Sequence, residues 1–481
     1  MRVLYVSTEV HPFLKTGGLA DVNAALPAAL ARAGVDVRLL LPGFPALLEA
    51  ATARKPALAL GPGPAGRMLS VLPCRLGDQP TWLIDAPELY GRVGNPYIDA
   101  DGLDWPDNAL RFAALGHAAA RFADGSIEGW RPDLVHSHDW HAALCSAYLR
   151  ARGGAVPASV FTVHNLAYQG QFDATQFQML GLPQHFFSMH GVEFHGALNF
   201  MKAGLFYADR VTTVSPTYAS EIQTAQFGFG MEGLLRSRAG ALTGILNGVD
   251  IGLWDPMADP NLAARYQAAD PGGKATCKAA LRERLGLAGD RGGPLLGVVS
   301  RLTPQKGLDL LLGALPTLLD SGGQLAMLGS GDADLEAQWL QAASAYPGIV
   351  AVQRGYDEAL AHAIVAGSDM IAVPSRFEPC GLTQMYGMRY GTLPLVRATG
   401  GLKDTVRDVD PRSLDDGSAT GFVFEAASIE ATAEAIRRAL VLWRQPGDWA
   451  RVVANGMRRD FGWDAAARAY LALYRELRPH A

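Results

Sequence analysis

Short apolar runs alternate with stretches of helical periodicity from the first residues onward. RVLYVST is followed by a helical pattern from Leu19 to Ala33, then by VDVRLLLP, and later by PDLVHSHD, ASVFTVHN and RVTTVSP. Continuous apolar strands separated by helices predict βαβ units, in which a parallel sheet is buried on both faces. The pattern breaks at LTGILNGVDIGLWDP, where Asn247 and Gly248 mark a turn and a proline-bounded loop follows; DPGGKATCK and GLAGDRGGP add further punctuation. A second alternating series begins with PLLGVVSR and the helix GLDLLLGALPTLLDSG, and continues through QLAMLGSG, IVAVQRG, DMIAVPSR and TLPLVRAT.

The expected fold class is therefore α/β, with two Rossmann-like, doubly wound parallel-sheet domains facing a central cleft. The expected limits are residues 1–242 for the first domain, 243–253 for a linker and 254–460 for the second domain. The last segment, residues 461–481, sets Trp463, Ala467, Tyr470, Tyr474 and Leu477 at helical intervals on one face, which needs a surface to cover. This helix is expected to cross back to the first domain, although packing on the second would use the same periodicity. The two halves repeat an architecture and not a sequence. Each opens with a strand ending in serine (Ser7, Ser300), then a loop carrying a lysine ahead of glycine (Lys15, Lys306), then a helix. Ligands of open α/β sheets sit beyond the carboxyl ends of the strands, so two facing sheets would bring both lysines to one cleft.

Composition narrows the choice of partner. With 481 residues the chain exceeds what one core usually supports. A content of 49% hydrophobic and 19% charged residues is that of an ordinary folded protein and argues against disorder. The net charge is −5, with Lys and Arg scattered and no polybasic run, which leaves no electrostatic footprint for nucleic acid or an anionic membrane. A small neutral or anionic substrate fits better. Cys74, Cys145, Cys277 and Cys380 lie far apart without a CxxC pair, which points away from a disulfide framework or zinc knuckle and toward a reduced, cytoplasmic protein. The opening MRVLYVST is too short for a signal-peptide core, and no stretch approaches the ~20 apolar residues of a membrane span.

Three loops carry candidate chemistry. In KTGGLADV, Gly17 and Gly18 would let the backbone approach a ligand closely, the first helical turn would attract an anion, and Lys15 would supply charge. A plain helix entry accounts for the same glycines, because neither a Gly-Lys-Ser/Thr phosphate loop nor GxGxxG is present. SRLTPQKG places Arg301 and Lys306 after another strand, with Gly307 opening the next helix. A planar fork beside a mobile point charge suits the two phosphates of a departing diphosphate, and solvated loop charges are the simpler reading. In PSRFEPCGLTQMYGMRYG, Glu378 lies in a loop where a carboxylate could hold sugar hydroxyls, and Gly381 and Leu382 would turn helix-end N–H groups toward an anion. Glu378 would also serve as a helix N-terminal charge favoured by the dipole. Cys380 has no histidine near it in sequence and reads as a packing residue.

HSHDWH, residues His136 to His141, is the rival metal candidate. Metal hydrolases of the HxHxDH kind place the carboxylate immediately before the third histidine, whereas here Asp139 follows the second and Trp140 intervenes. Polar residues at a strand end, with Asp139 and His141 meeting a hydroxylated ligand, fit better than zinc. His164 in TVHNLAYQG also ends a strand, as a structural or a functional histidine. The two Asp-Ala-Asp segments, at Asp99 to Asp101 and Asp332 to Asp334, lie in polar contexts that need no ion, and GSGD is a weak dinucleotide signal.

Taken together, KTGGLADV, NPY, HSHDWH, TVHNLAYQG, SRLTPQKG and SRFEPCGLTQMYGMRYGTLPLVRATGGLKDTV resemble the bacterial glycogen synthases and plant starch synthases, retaining glucosyltransferases of the two-lobe GT-B type. The resemblance runs in family order over nearly the whole chain. It implies that Lys15, with Gly17 and Gly18, belongs to the loop that meets a nucleotide-sugar, that Asp21 helps to bind it, and that Arg301 and Lys306 neutralise its diphosphate. It places Glu378, Cys380, Asp139 and His164 beside the transferred glucose, with Gly381 and Leu382 next to them. Tyr356 would stack on the base and Tyr97 would face the sugar. ADP-glucose and an α-1,4-glucan are the implied partners, with no metal or other cofactor and no particular oligomeric state. One departure concerns the second glutamate that many retaining relatives carry eight residues after the first, where this chain has Tyr386. The ribose contact usually given to that carboxylate is left without an owner. The competing expectations are a metal-dependent hydrolase at HSHDWH and a catalytically silent glucan-binding protein.

Overall fold

The computed structural model describes residues 1–125, 127 and 129–478. The chain divides into two units: residues 1–248 with the segment from Trp463 onward form the first, and Val249–Gly462 the second.

The strands of the first unit are, in chain order, β1 (Arg2–Val6), β2 (Asp36–Pro42), β3 (Leu58–Pro62), β4 (Met68–Leu76), β5 (Gln79–Asp85), β6 (Leu134–His138), β7 (Ala158–Val163), the short β8 (Gln171–Phe172), β9 (Glu193–Phe194) and β10 (Ala197–Asn199), then β11 (Arg210–Thr213) and β12 (Leu242–Gly244). Nine of them form one sheet in the order β12-β11-β7-β6-β1-β2-β5-β4-β3. Pairing is parallel from β12 through to β5. β7 is buried at every position, which is why its sequence shows no polar alternation.

An all-parallel sheet is not what forms at the other margin, where β4 runs antiparallel to both β5 and β3. A parallel partner requires a crossover of a dozen residues or more. The chain offers only Gly77 and Asp78 between β4 and β5, and Gly77 takes a φ of 55°, the positive value a two-residue hairpin asks of its first position. A separate antiparallel sheet, β8-β10-β9, also lies outside the βαβ expectation.

The terminal helix Trp463–Leu477 belongs to the first unit, where it buries Trp463, Ala466, Ala467, Tyr470, Leu473 and Tyr474. It packs against the helix Gly18–Arg32. The Tyr474 hydroxyl meets His136 Nδ1 at 2.7 Å, and Arg478 donates to the carbonyl of Asp133.

The second unit contains β13 (Leu295–Val299), β14 (Gln324–Gly329), β15 (Val350–Arg354), β16 (Met370–Val373), β17 (Leu393–Arg397) and β18 (Phe422–Phe424). They form one parallel sheet in the order β15-β14-β13-β16-β17-β18. Alternate strand residues feed two apolar clusters: Leu296, Val298, Met327 and Leu395 pack with Trp339 and Ile436, whereas Leu295, Leu328 and Ile371 pack with Ile364 and Tyr390. Among the described residues no helix is long and apolar enough to cross a membrane.

In the parallel part of each sheet, successive connections leave one strand in opposite directions, at a reversal point. In the first, β2 lies on one side of β1 and β6 on the other; in the second, β14 lies on one side of β13 and β16 on the other. Loops leaving adjacent strands in opposite directions open a crevice at their carboxyl ends, which is where such sheets hold ligands.

Candidate active site

The reversal point of the second sheet joins two of the sequence-selected loops. The loop after β13 carries Arg301, which is exposed, and Lys306; the loop after β16 carries Glu378, Cys380, Gly381 and Leu382. Lys306 Nζ lies 2.7 Å from Glu378 Oε2, and the Ser375 hydroxyl donates to the same oxygen at 2.8 Å. The Lys306 and Glu378 side chains are 18% and 8% exposed. Two glycines make this approach possible. Gly307 has a φ of 64°, and a Cβ there would stand 2.2 Å from the Pro374 carbonyl oxygen; a Cβ on Gly400 would stand 1.9 Å from the Glu378 carbonyl oxygen. Glu378 is thus gripped by its backbone as well as its carboxylate, and Gly401 N–H donates to its carbonyl.

Cys380 is buried, and Gly381 turns the chain at a φ of 71° just ahead of the helix Thr383–Arg389, with Leu382 half-buried at its start. Gln384 closes that turn by donating to the carbonyls of Cys380 and Gly381. Tyr356 follows β15, two strands from β13, with 68% of its surface exposed and its hydroxyl 3.2 Å from Glu358 Oε2. Tyr386 stacks on Trp254 with ring centroids 3.7 Å apart.

In the first unit, β1, β6 and β7 are neighbours, so Glu9, Asp139 and His164 emerge side by side. Asp139 opens a helical turn with a φ of 60°, a left-handed conformation that Asp tolerates better than most residues. Its carboxyl is buried and its pKa is pushed up to about 7 by that burial, against the pull of backbone N–H groups from Asn165, His164 and Trp140. Asp139 Oδ1 has no hydrogen-bond partner. His164 Nε2 lies 3.0 Å from His138 Nδ1, and burial lowers the His164 pKa to about 3, so the ring is neutral near pH 7. Neutral imidazole offers directional hydrogen bonds without a charge.

Tyr97 reaches into this cluster from its loop. Its hydroxyl lies 2.7 Å from Thr8 Oγ1 and donates to Glu9 Oε1 at 3.1 Å, and its ring stacks on His141 at 4.4 Å. Glu9, which the sequence reading passed over, is 2% exposed, and burial raises its pKa. It accepts from the backbone N–H and the hydroxyl of Thr16, which ties it to the loop of Lys15. Lys15 Nζ is 2.8 Å from Asp21 Oδ1, one turn into the helix Gly18–Arg32. At Gly17 an added Cβ would meet nothing within 4 Å, so the fold itself does not demand the bare backbone there.

In HSHDWH the His136 and His138 rings pack against each other with centroids 4.0 Å apart. His136 has both ring nitrogens engaged by hydroxyls, Tyr474 on one side and Thr162 on the other at 2.6 Å. Among the described residues no group of three or more His, Cys, Asp or Glu side chains is arranged to hold a metal ion. The two Asp-Ala-Asp segments have local tasks: Asp99 accepts from the N–H groups of Asp101 and Leu103, and Asp332 caps the helix Ala333–Ala345.

Comparison with known proteins gives the family. Residues 2–237 match the family model described as the starch synthase catalytic domain, and residues 282–452 match glycosyl transferases group 1. The chain is 52% identical over 495 aligned positions to a glycogen synthase of Albidiferax ferrireducens, covering 100% of both chains. It is 55% identical to a glycogen synthase of Edwardsiella ictaluri, covering 99% of this chain and 100% of that one. Among solved structures it is similar to the catalytic domain of starch synthase IV from Arabidopsis thaliana bound to ADP and acarbose, with a TM-score of 0.90 and 33% identity over 99% of each chain. A sucrose-phosphate synthase from Thermosynechococcus elongatus, 20% identical with a TM-score of 0.60 over 100% of both chains, shares the fold. The chain belongs to the glycogen and starch synthase family of GT-B glycosyltransferases.

Proposed function

We propose that this glycosyltransferase moves glucose, with retention, from ADP-glucose to the non-reducing end of an α-1,4-glucan. The observation that carries the reading is the Lys306–Glu378 contact of 2.7 Å at the reversal point of the second sheet. Breaking the bond between the anomeric carbon and the diphosphate oxygen sends the electron pair to the diphosphate and leaves positive charge on the sugar. An ammonium and a carboxylate held side by side answer both charges, and such groups act most strongly where charge develops in the transition state. Arg301, in the same loop as Lys306, adds a planar fork for the second phosphate. The acceptor hydroxyl bonds to the anomeric carbon on the face the diphosphate leaves, and its proton passes to the departing phosphate oxygen.

The remaining residues fall into supporting roles. In the first unit Lys15, Gly17, Gly18 and Asp21 bind the nucleotide-sugar and Asp139 and neutral His164 offer polar contacts to a sugar; in the second unit Cys380, Gly381 and Leu382 contact the transferred glucose. Tyr97, backed by Glu9 and His141, faces the acceptor sugar. The exposed Tyr356 ring stacks on the base. The ADP held by the starch synthase IV relative supports adenine as that base. The four cysteines are buried and outside any disulfide, which suits the reducing cytoplasm.

The test is a donor panel of ADP-, UDP- and GDP-glucose with a glycogen primer, following both nucleoside diphosphate released and glucose incorporated. ADP release matched by glucose incorporation is expected, and Lys306→Ala lowers kcat by about 10²–10³ while the protein stays folded. A preference for UDP-glucose, or full turnover in both Lys306→Ala and Glu378→Ala, overturns the proposal.

A further inference from the structure

Arg111 is a charged side chain in an apolar place. It lies in the helix Asn108–Arg121, is 1% exposed, and has its guanidinium carbon 5.6 Å from the ring centroids of both Phe44 and Phe112. Its hydrogen bonds go to neutral acceptors: Nε to the carbonyl of Leu89 at 2.8 Å, and Nη1 to the carbonyl of Pro96 at 2.9 Å and to Asn108 Oδ1 at 2.7 Å. A buried guanidinium is costly, and a methionine or leucine would fill the same volume at lower cost. What the cation adds is a grip on irregular backbone that an apolar side chain does not supply.

That backbone leads to Tyr97. Pro96 contributes the peptide carbonyl just before Tyr97, and Asn108 Nδ2 donates to the carbonyl of Tyr97 itself at 2.8 Å. Both peptide groups flanking the Tyr97 Cα are therefore fixed from one helix turn. The same loop is also tied at Arg92, which pairs with Asp107 at the start of that helix, and by Trp105, whose backbone N–H donates to the Tyr97 carbonyl, while Val93 between them is 90% exposed. The anchored ring is the one that meets Thr8, Glu9 and His141.

We propose that Arg111, acting with Asn108, is a positioning residue for the glucan acceptor, because it holds the loop that aims Tyr97 at Glu9 and His141. The proposal rests on the reading of Tyr97 as facing the acceptor, so one measurement must report on Tyr97 without glucan. Fluorotyrosine placed at position 97 of the full chain gives that signal by ¹⁹F NMR. In Arg111→Lys, which keeps the charge and loses the fork, the resonance is expected to shift or broaden. The KM for glycogen is expected to rise about tenfold while the KM for ADP-glucose stays within about twofold, as befits the loss of one binding surface and not of the chemistry. The double variant Arg111→Lys/Tyr97→Phe is expected to be no worse for glycogen than Tyr97→Phe alone, since residues acting through one contact are not additive. Should Arg111→Lys fail to fold, Asn108→Ala enters the same cycle. An unchanged fluorine resonance, or multiplying losses in the double variant, overturns the positioning role. A shifted resonance with no change in glycogen KM for Tyr97→Phe supports the positioning of the loop and instead refutes the acceptor role of Tyr97.

Discussion

Asp139 combines a left-handed backbone with a proton held out of its usual range, and the two can be separated by one substitution. Burial raises its pKa from 3.8 to about 7, so between those values the folded protein keeps a proton that the unfolded chain releases. Stability therefore falls as pH rises through that window, and is constant with respect to this group below pH 3.8 and above about 7. Asparagine tolerates the left-handed region as well as aspartate does and cannot ionise. Asp139→Asn is thus expected to fold and to flatten the decline in unfolding free energy between about pH 4 and 7, measured by urea denaturation at several pH values. A wild-type slope in the variant would remove Asp139 as the source. His164 gives the matching kinetic expectation. With its pKa driven down to about 3, it contributes no inflection to kcat/KM near neutrality, and a histidine-like limb that disappears in His164→Asn would contradict a neutral ring.

The loops that follow the strands separate glycines demanded by packing from glycines that leave backbone bare. Gly307→Ala brings a Cβ to 2.2 Å from the Pro374 carbonyl oxygen at a φ of 64°, so the loop of Lys306 must lift off the loop of Glu378. It is expected to lower Tm by several degrees and kcat by about a hundredfold. Gly17→Ala meets open space at an extended φ of −165°, and is expected to leave Tm unchanged while raising the KM for ADP-glucose several-fold. Equal thermal losses in the two variants would defeat the distinction. Much of this scale was legible in the sequence: the βαβ alternation, both lysine loops and the Glu378 loop follow from apolar runs and punctuation. Strand order was not, and strand order is what makes Lys306 and Glu378, 72 positions apart, neighbours. Glu9 stayed hidden for the same reason, because its partner Tyr97 lies 88 positions away and no motif surrounds it. Arg111 sits in an alanine-rich helix, where an arginine reads as part of a solvated face until tertiary burial shows otherwise. The antiparallel margin did have a signal, the Gly77-Asp78 pair, which an alternating α/β reading passes over.

At the scale of the whole chain the two units differ in continuity, and this sets the order in which they can be completed. The second is one uninterrupted stretch, Val249–Gly462, whereas the first needs the terminal helix from the far end of the sequence. That helix brings Trp463, Tyr470 and Tyr474, at 5%, 1% and 0% exposure, into the first unit. Burying three such side chains contributes roughly 5–9 kcal/mol, which is comparable to the whole net stability of a typical domain, about 5–15 kcal/mol. Its loss would also remove the Tyr474 hydroxyl from His136 Nδ1, a hydrogen bond worth about 1 kcal/mol net. Residues 249–462 expressed alone are therefore expected to unfold in one cooperative transition, while residues 1–248 alone are expected to lack a sharp transition and to bind a hydrophobic dye. Joining residues 463–478 to the 1–248 fragment through a flexible linker is expected to restore cooperative melting, and the same linked fragment carrying Tyr474→Phe is expected to recover less of it. Should residues 1–248 melt as sharply and as high without the helix, the terminal segment would be a covering and not part of the core.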